Sequence, residues 1–271
     1  MYELGYAPPP STTGYALLAY VTVVPSGDPN YTGTITNAAI SDQRVFYPAS
    51  ATGCLVKRTI YASGSAATHT WDARTTSALI RMAGGGGGGG GAKSGGVSGN
   101  FGSGGGGSAG GYLEKLLTGI NPVSNPTATY TVGTKGTGGS GATPAAGNTG
   151  NDTTFAYVGT TYTAKGGNGG AAVTASSGNS ALGGDGQAPT NGDINTKGQP
   201  GGAGFAASAI AIAGFGGGGP FGQGGRSPVG VGTGNNGQGN GSGGSGGISS
   251  NAASNNGGDG TDGFIVIDEY T

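Results

Sequence analysis

Eight consecutive glycines, Gly84, Gly85, Gly86, Gly87, Gly88, Gly89, Gly90 and Gly91, divide this chain into two kinds of polypeptide. Six of the 68 glycines precede the run, so 62 fall in the 188 residues that begin with it, about one residue in three. Glycine loses more backbone freedom on ordering than any other residue, roughly 1–2 kcal/mol each. Ordering this region therefore costs on the order of 100 kcal/mol, with little side-chain burial to offset it. Such a region either stays disordered or bonds its backbone to itself efficiently.

Composition favours the second alternative. Disordered chains combine low hydrophobicity with high net charge, whereas this chain has a net charge of −1 and 33% hydrophobic residues. Collagen needs glycine at every third position and far more proline than the 13 residues present, and residues 183–200 break any strict period. No constant repeat length of a silk-like kind is evident. Charged residues make up only 8%, too few to attract nucleic acid or an anionic membrane surface. The apolar stretch 206–213 is interrupted by Ser208 and too short to span a bilayer, and Met1-Tyr2-Glu3-Leu4 lacks the pattern of a secretory leader. The chain is expected to fold where it is made, with no nucleic acid and no membrane insertion. The single Cys54 excludes an internal disulfide and reads as a small buried hydrophobe.

The composition shift predicts two domains: a β-rich unit at residues 1–74 and a glycine-rich unit at 75–271. In the first, residues 15–24 are rich in β-branched and aromatic side chains and close at Pro25-Ser26-Gly27-Asp28-Pro29, a turn signal. Shorter strand patterns follow at 32–40, 44–47 and 55–61, and Pro8-Pro9-Pro10 stiffens the start as polyproline II. Residues 75–82 read as a strand leading into the glycine run. Trp71, beside that junction, reads as a packing anchor. His69 has no second histidine, and only Asp72 is a carboxylate close in sequence, so metal or acid–base work there is not expected. Beyond the run, strands are expected at 112–117 and 127–132, joined through Asn121-Pro122 and Asn125-Pro126. A hairpin is expected at 153–158 and 160–164 around Gly159, and a terminal strand at 263–270.

Polyglycine in the left-handed, three-residue-per-turn conformation rises about 3.1 Å per residue, so eight glycines span roughly 25 Å. It has no internal hydrogen bonds, yet each buried N–H and C=O needs a partner. Bare helices can approach closely enough to bond one another laterally. Each such bond contributes a net 0.5–1.5 kcal/mol or so, about the entropy cost of one glycine, so aromatic strands must tip the balance. Phe101, Tyr112, Phe155, Tyr157, Phe205, Phe215 and Phe221 are the candidates. The expected fold class is all-β plus polyglycine II: a small N-terminal β domain, then packed polyglycine helices and short strands whose loops project outward and are free to vary.

Local motifs add little. Residues 87–94 imitate a phosphate-binding loop, but Ala92 replaces the glycine before Lys93, and no βαβ pattern surrounds any G-x-G-x-x-G string. Residues 257–264 fit one copy of a calcium-binding nonapeptide, a site that needs stacked neighbours, so Asp259 and Asp262 read as structural. Asn30-Tyr31-Thr32 and Asn151-Asp152-Thr153 match glycosylation acceptors without other signs of secretion. One histidine, one cysteine and scattered carboxylates supply no nucleophile with a base, so neither an enzyme nor a cofactor is expected.

The order of segments resembles the glycine-rich domain at the C-terminal end of tailed-bacteriophage tail fibres. The matching pieces are the lead-in Leu79-Ile80-Arg81-Met82, then Ala83 and the polyglycine run, then Gly105-Gly106-Gly107-Ser108-Ala109-Gly110-Gly111-Tyr112 and Tyr130-Thr131-Val132-Gly133. Lys165-Gly166-Gly167-Asn168-Gly169-Gly170 and the close from Gly258 to Tyr270 complete it. More loosely, the chain is similar to polyglycine-helix tip adhesins on long tail fibres, whose loops contact the host surface. The resemblance implies a virion protein that docks to other tail or baseplate proteins through its N-terminal part and binds a bacterial surface receptor, protein or glycan, through its loops. It also implies a homotrimeric fibre or a single copy seated on a trimeric shaft. Segments 143–152, 187–197 and 220–229 are the expected contact loops, with Phe221, Arg226, Asn148, Asn191 and Lys197 as receptor-binding candidates and Gly84 to Gly91 as scaffold. A purely structural virion spike or decoration protein is the rival reading, and an ice-binding face is discouraged by the irregular threonines.

Overall fold

The computed structural model describes residues 53–93, 100–174, 180–207, 210–251 and 253–271, together with two short strands, Ala19–Val21 and Ile40–Asp42. Contacts divide the chain into Met1–Ala51 and Thr52–Thr271. In the first unit the two strands pair antiparallel, Ala19 opposite Asp42. The rest of the strands expected at 15–24, 32–40 and 44–47, and the proline tract, lie outside the described residues. The second unit contains the strands Leu55–Tyr61 and Ala67–Thr70, upstream of the boundary expected at 74/75, in the same body as the glycine tracts. Every described element is a strand; the chain is all-β.

Two sheets form a sandwich at one end of this body. The first has the order Ile194–Thr196, Tyr112–Thr118, Ser77–Ala83, Phe264–Tyr270, Leu55–Tyr61, antiparallel throughout. The second has the order Thr160–Ala164, Thr153–Tyr157, Thr127–Thr131, Ala67–Thr70. Strand alternation explains both. Ala78, Ile80 and Met82 point to one face of their strand and meet Leu113, Leu117, Ile265 and Ile267 from its neighbours. From the other sheet come Ala128, Tyr130, Phe155, Tyr162 and Ala164, with Trp71 closing the side. Trp71 is the packing anchor its position predicts, edge-on to His69, Phe155 and Tyr157. The hairpin turns at Val158 and Gly159, both with positive φ (46° and 75°), the geometry of a two-residue primed turn. The Asn121 side chain caps the 121–126 bend by accepting the Val123 and Ser124 amides.

The strands Ser77–Ala83, Tyr112–Thr118 and Phe264–Tyr270 all continue into glycine tracts, and there the bonding period changes from two to three. Along residues 84–91, the amides of Gly84, Gly87 and Gly90 donate to the carbonyls of Gly111, Ser108 and Gly105. Those of Gly85, Gly88 and Gly91 donate to Asn151, Asn148 and Ala145, and those of Gly86 and Gly89 to Thr261 and Gly258, all at 2.8–3.1 Å. The carbonyls are used in the same rhythm. Gly85, Gly88 and Gly91 accept from Gly167, Gly170 and Val173; Gly86 and Gly89 from Gly136 and Gly139; Gly87 and Gly90 from Gly244 and Gly247. One thread is thus bonded to six others, three running with it and three against it. The threads 104–111 and 241–247 are ringed likewise and bonded to it and to each other, so these three form a buried centre. A Cβ on any residue from Gly84 to Gly91 would stand 1.9–2.2 Å from a neighbouring backbone atom, so no side chain fits.

Outer threads exclude a Cβ where they face other threads and carry side chains where they do not. Gly133, Gly136 and Gly139 alternate with Thr134, Thr137 and Ser140, which turn outward. The Asn148 and Asn151 amides donate to the Thr137 and Thr134 hydroxyls beside the matching backbone bonds. The repeat length is therefore three, with the phase restarting at each loop.

Two expectations are corrected. Cys54 is exposed at a strand end, where its carbonyl accepts the Thr271 amide. Phe205, Phe215 and Phe221 are 43–55% exposed and do not stabilise the body as a core would; Phe155 alone of the seven aromatics is fully buried. The glycine tracts are instead held by their lateral bonds.

Candidate functional site

Because threads successive along the chain alternate in direction, the chain passes twelve times along the bundle among the described residues, and its connections sort into two ends. At one end the connections are the sandwich strands themselves, the strand Ile194–Thr196, and the pair Phe221–Gln223 with Gln238–Asn240. The chain enters here too, since the Gly53 amide donates to the Thr271 carbonyl. At the other end lie 91–93 with 100–104, the turn 141–145, residues 171–174 with 180–182, the hairpin Gly204–Ala207 and Ile210–Ile212, the segment 226–234, and the strands Ile248–Ser250 and Ser254–Asn255. One end is a packed cap, the other a set of loops.

The loop end exposes large apolar side chains in the glycine body. Phe205 stands opposite Ile212 across the hairpin, with 55% and 57% exposure, while Ala206, the next residue, is buried. Leu182, Ile210, Val229 and Val231 are exposed on the same end. The alternation of a half-buried sheet is inverted for the larger residues: small ones pack in, large ones face water.

The five candidate contact residues do not converge. Phe221 sits at the capped end, 4.5 Å ring to ring from Phe264 and 5.8 Å from Tyr112. Asn191, in the left-handed conformation at φ 69°, donates to the Thr161 carbonyl at that end. Lys197 lines a cleft of about 230 Å³ with Tyr112, Gln199 and Pro220, also there. Asn148 lies along an outer thread, bonded to Thr137. Arg226 is exposed where the chain turns into the loop end, on a flank cleft of about 420 Å³. Parity, the number of passes preceding a loop, is the sequence signal that separates these positions.

Sequence reasoning also missed a buried polar cluster. The His69 Nδ1 atom lies 2.9 Å from the Tyr61 hydroxyl, and its Nε2 lies 3.5 Å from Glu269 Oε1, both residues fully buried. Glu269 Oε2 accepts the Asp72 amide and the Thr75 hydroxyl, and Lys57 Nζ approaches Oε1 at 3.6 Å. Burial lowers the His69 pKa to about 4, against the attraction of Glu269, so the ring is neutral at pH 7. Closed to solute, the cluster ties the last strand to the 69–75 corner. Beside it, Asp268 is held below the usual carboxylate range first by its hydrogen bonds to Arg58, which donates to both oxygens, with Arg81 also donating to Oδ2.

The remaining motifs are absorbed by the scaffold. The amides of Gly87 to Gly91 all donate to other threads, leaving none to cradle a phosphate. Asp259 pairs with Lys135 and accepts the Gly138 amide, and Asp262 accepts the Lys135 amide, so both carboxylates hold threads together.

Compared with known families, residues 62–270 match the model of a glycine-rich domain. A search of curated proteins found no match.

Proposed function

The chain belongs to the glycine-rich domain family, and we propose that its tracts form a polyglycine II bundle serving as the stiff body of a bacteriophage tail-fibre or tail-tip adhesin. The observation that carries this reading is the three-residue bonding period around Gly84 to Gly91, with six bonded neighbours and no room for a Cβ. A period of three is that of the extended threefold helix, and lateral bonds are the partners such a helix otherwise lacks. The body separates structure from surface: what holds it is main chain, so loops at the uncapped end change without disturbing it. Loops on a rigid scaffold are where binding residues accumulate. The exposed Phe205, Ile212, Leu182 and Val229 at that end are the kind of surface that marks a partner.

The phage assignment rests on the resemblance in segment order. In this reading the N-terminal part docks to the virion, and the protein, made in the host cytoplasm, acts on the virion as a host-attachment protein without catalysis.

Binding of the purified full chain to a panel of bacterial strains tests it. Saturable binding to some strains, weakened at least tenfold by F205S/I212S with the fold intact, is the expected result. A chain that adheres to no strain and does not compete with any phage for adsorption points instead to a spike or decoration protein. Hydrogen exchange tests the bundle itself: the amides of residues 84–91 should exchange orders of magnitude more slowly than a free peptide.

A further inference from the structure

Seven of the ten lysines and arginines among the described residues sit within ion-pair distance of a carboxylate: Lys57, Arg58, Arg74, Arg81, Lys115, Lys135 and Lys165. Lys93, Lys197 and Arg226 do not. Lys197 lines a small cleft in which the Gln199 side-chain Oε1 is already taken by the Gly218 amide. Arg226 is different. It projects from a cleft of about 420 Å³ whose other walls carry amide side chains and no carboxylate.

Those amides are placed by the threads. Gln223 and Gln238 are directly opposite each other across an antiparallel pair, so both project from one face. The side chains of both are exposed and have no hydrogen-bond partner among the described residues. Asn235 is fixed, its Nδ2 donating to the Arg226 carbonyl and its backbone amide to Ser245 Oγ. Asn236 is fixed through its Oδ1, which accepts the Asp259 amide. Pro228 and Val229 supply an apolar wall, Val229 fully exposed.

We propose that this flank cleft binds an acidic saccharide, a pyranose bearing a carboxylate or phosphate. The inference deepens the adhesin reading, on which its biological meaning rests. A guanidinium fork meets an oxyanion with two parallel hydrogen bonds. Primary amides both donate and accept, which is what ring hydroxyls require, and an apolar wall suits the C–H face of the ring. The cleft volume lies within the range of small-molecule sites.

Calorimetry on the full chain in 0.15 M salt, with an oligogalacturonate, a phosphomannan oligosaccharide and maltotetraose, tests the proposal. Binding of one or both acidic sugars, but not of maltotetraose, is expected, and the two acidic arms separate carboxylate from phosphate. R226A should weaken it about tenfold or more, R226K less, and Q238A by a few fold, with unchanged hydrogen exchange in residues 84–91. Equal binding of maltotetraose, an R226A protein that binds like the parent, or no retention of either acidic sugar would overturn it. Whole-cell binding separates the two readings. If the chain binds cells and R226A binds them equally, the cleft assignment falls and the adhesin stands. If the acidic sugar binds through Arg226 but no cell is bound, the reverse holds.

Discussion

The sandwich and the glycine bundle share three strands, yet they are stable for opposite reasons. In the sandwich, Ile80, Met82, Leu113, Phe155, Ile265 and Ile267 exclude water from a side-chain core, and the backbone ladder follows. In the bundle the buried side chains are few and small, such as Ser108, Ala109, Ser242 and Ser245 on the central threads, and the ladder is the core. The first tolerates a smaller side chain at a graded cost; in the second, a Cβ added anywhere from Gly84 to Gly91 meets a backbone atom at about 2 Å. The lesson is that the direction of a harmful substitution reverses within one chain: small is harmful in one half, large in the other.

Substitutions break or sharpen that contrast. The largest effect is expected from G88A, whose methyl would stand 2.0 Å from the Thr137 carbonyl oxygen. Forcing threads apart should cost more than about 4 kcal/mol or abolish folding, read as loss of soluble protein or of the thermal transition. G232A, where the nearest atom is 4.0 Å away, should change the same transition by less than about 0.5 kcal/mol. A G88A protein as stable as the parent would remove the main-chain core altogether.

On the sandwich side, F155A should cost about 3–5 kcal/mol in denaturant unfolding, since the ring is fully buried. The third effect is a pH dependence confined to that half. His69 binds a proton less readily folded, at about 4, than unfolded, near 6.5. Its contribution is therefore intact above pH 6.5 and lost as pH falls from about 6.5 toward 4, by roughly 3 kcal/mol at most. Amide exchange between pH 7 and 4.5, corrected for intrinsic rates, should show the sandwich loosening first, and H69Q should flatten that dependence. Smallest is V158N: a β-branched residue at φ 46° is poorly suited to its turn, so asparagine should stabilise the hairpin by about 0.5–1 kcal/mol in thermal unfolding.

How much of this was legible follows from the two periods. Strands with alternating side chains announce themselves, and Leu55–Tyr61, Tyr112–Thr118, the hairpin around Gly159 and Phe264–Tyr270 are readable within a residue or so. The three-residue repeat was hidden because glycine is required at more than one position within it, as at Gly136, Gly138 and Gly139, and because every loop resets the phase. Glu269 reaches His69 across 200 positions with no local signal. The flank cleft joins Gln223 to Gln238 through strand pairing that composition does not reveal, so only the exposed, uncompensated Arg226 was visible in advance. Phe221, Asn191 and Lys197, expected in contact loops, lie at the capped end, Phe221 within the strand Phe221–Gln223.

The threefold phase of the outer threads carries a consequence for how such a chain can change in length. Adding or removing three residues within a tract such as 133–141 advances the thread by one bonding period and leaves inward glycines inward. Adding one shifts everything downstream out of that period and places threonine or lysine where glycine faces a neighbouring thread. Lineages of this domain should therefore gain and lose tract residues in triplets, while the connections at the uncapped tip vary by any number, a spacing rule written in amino acids rather than in codons.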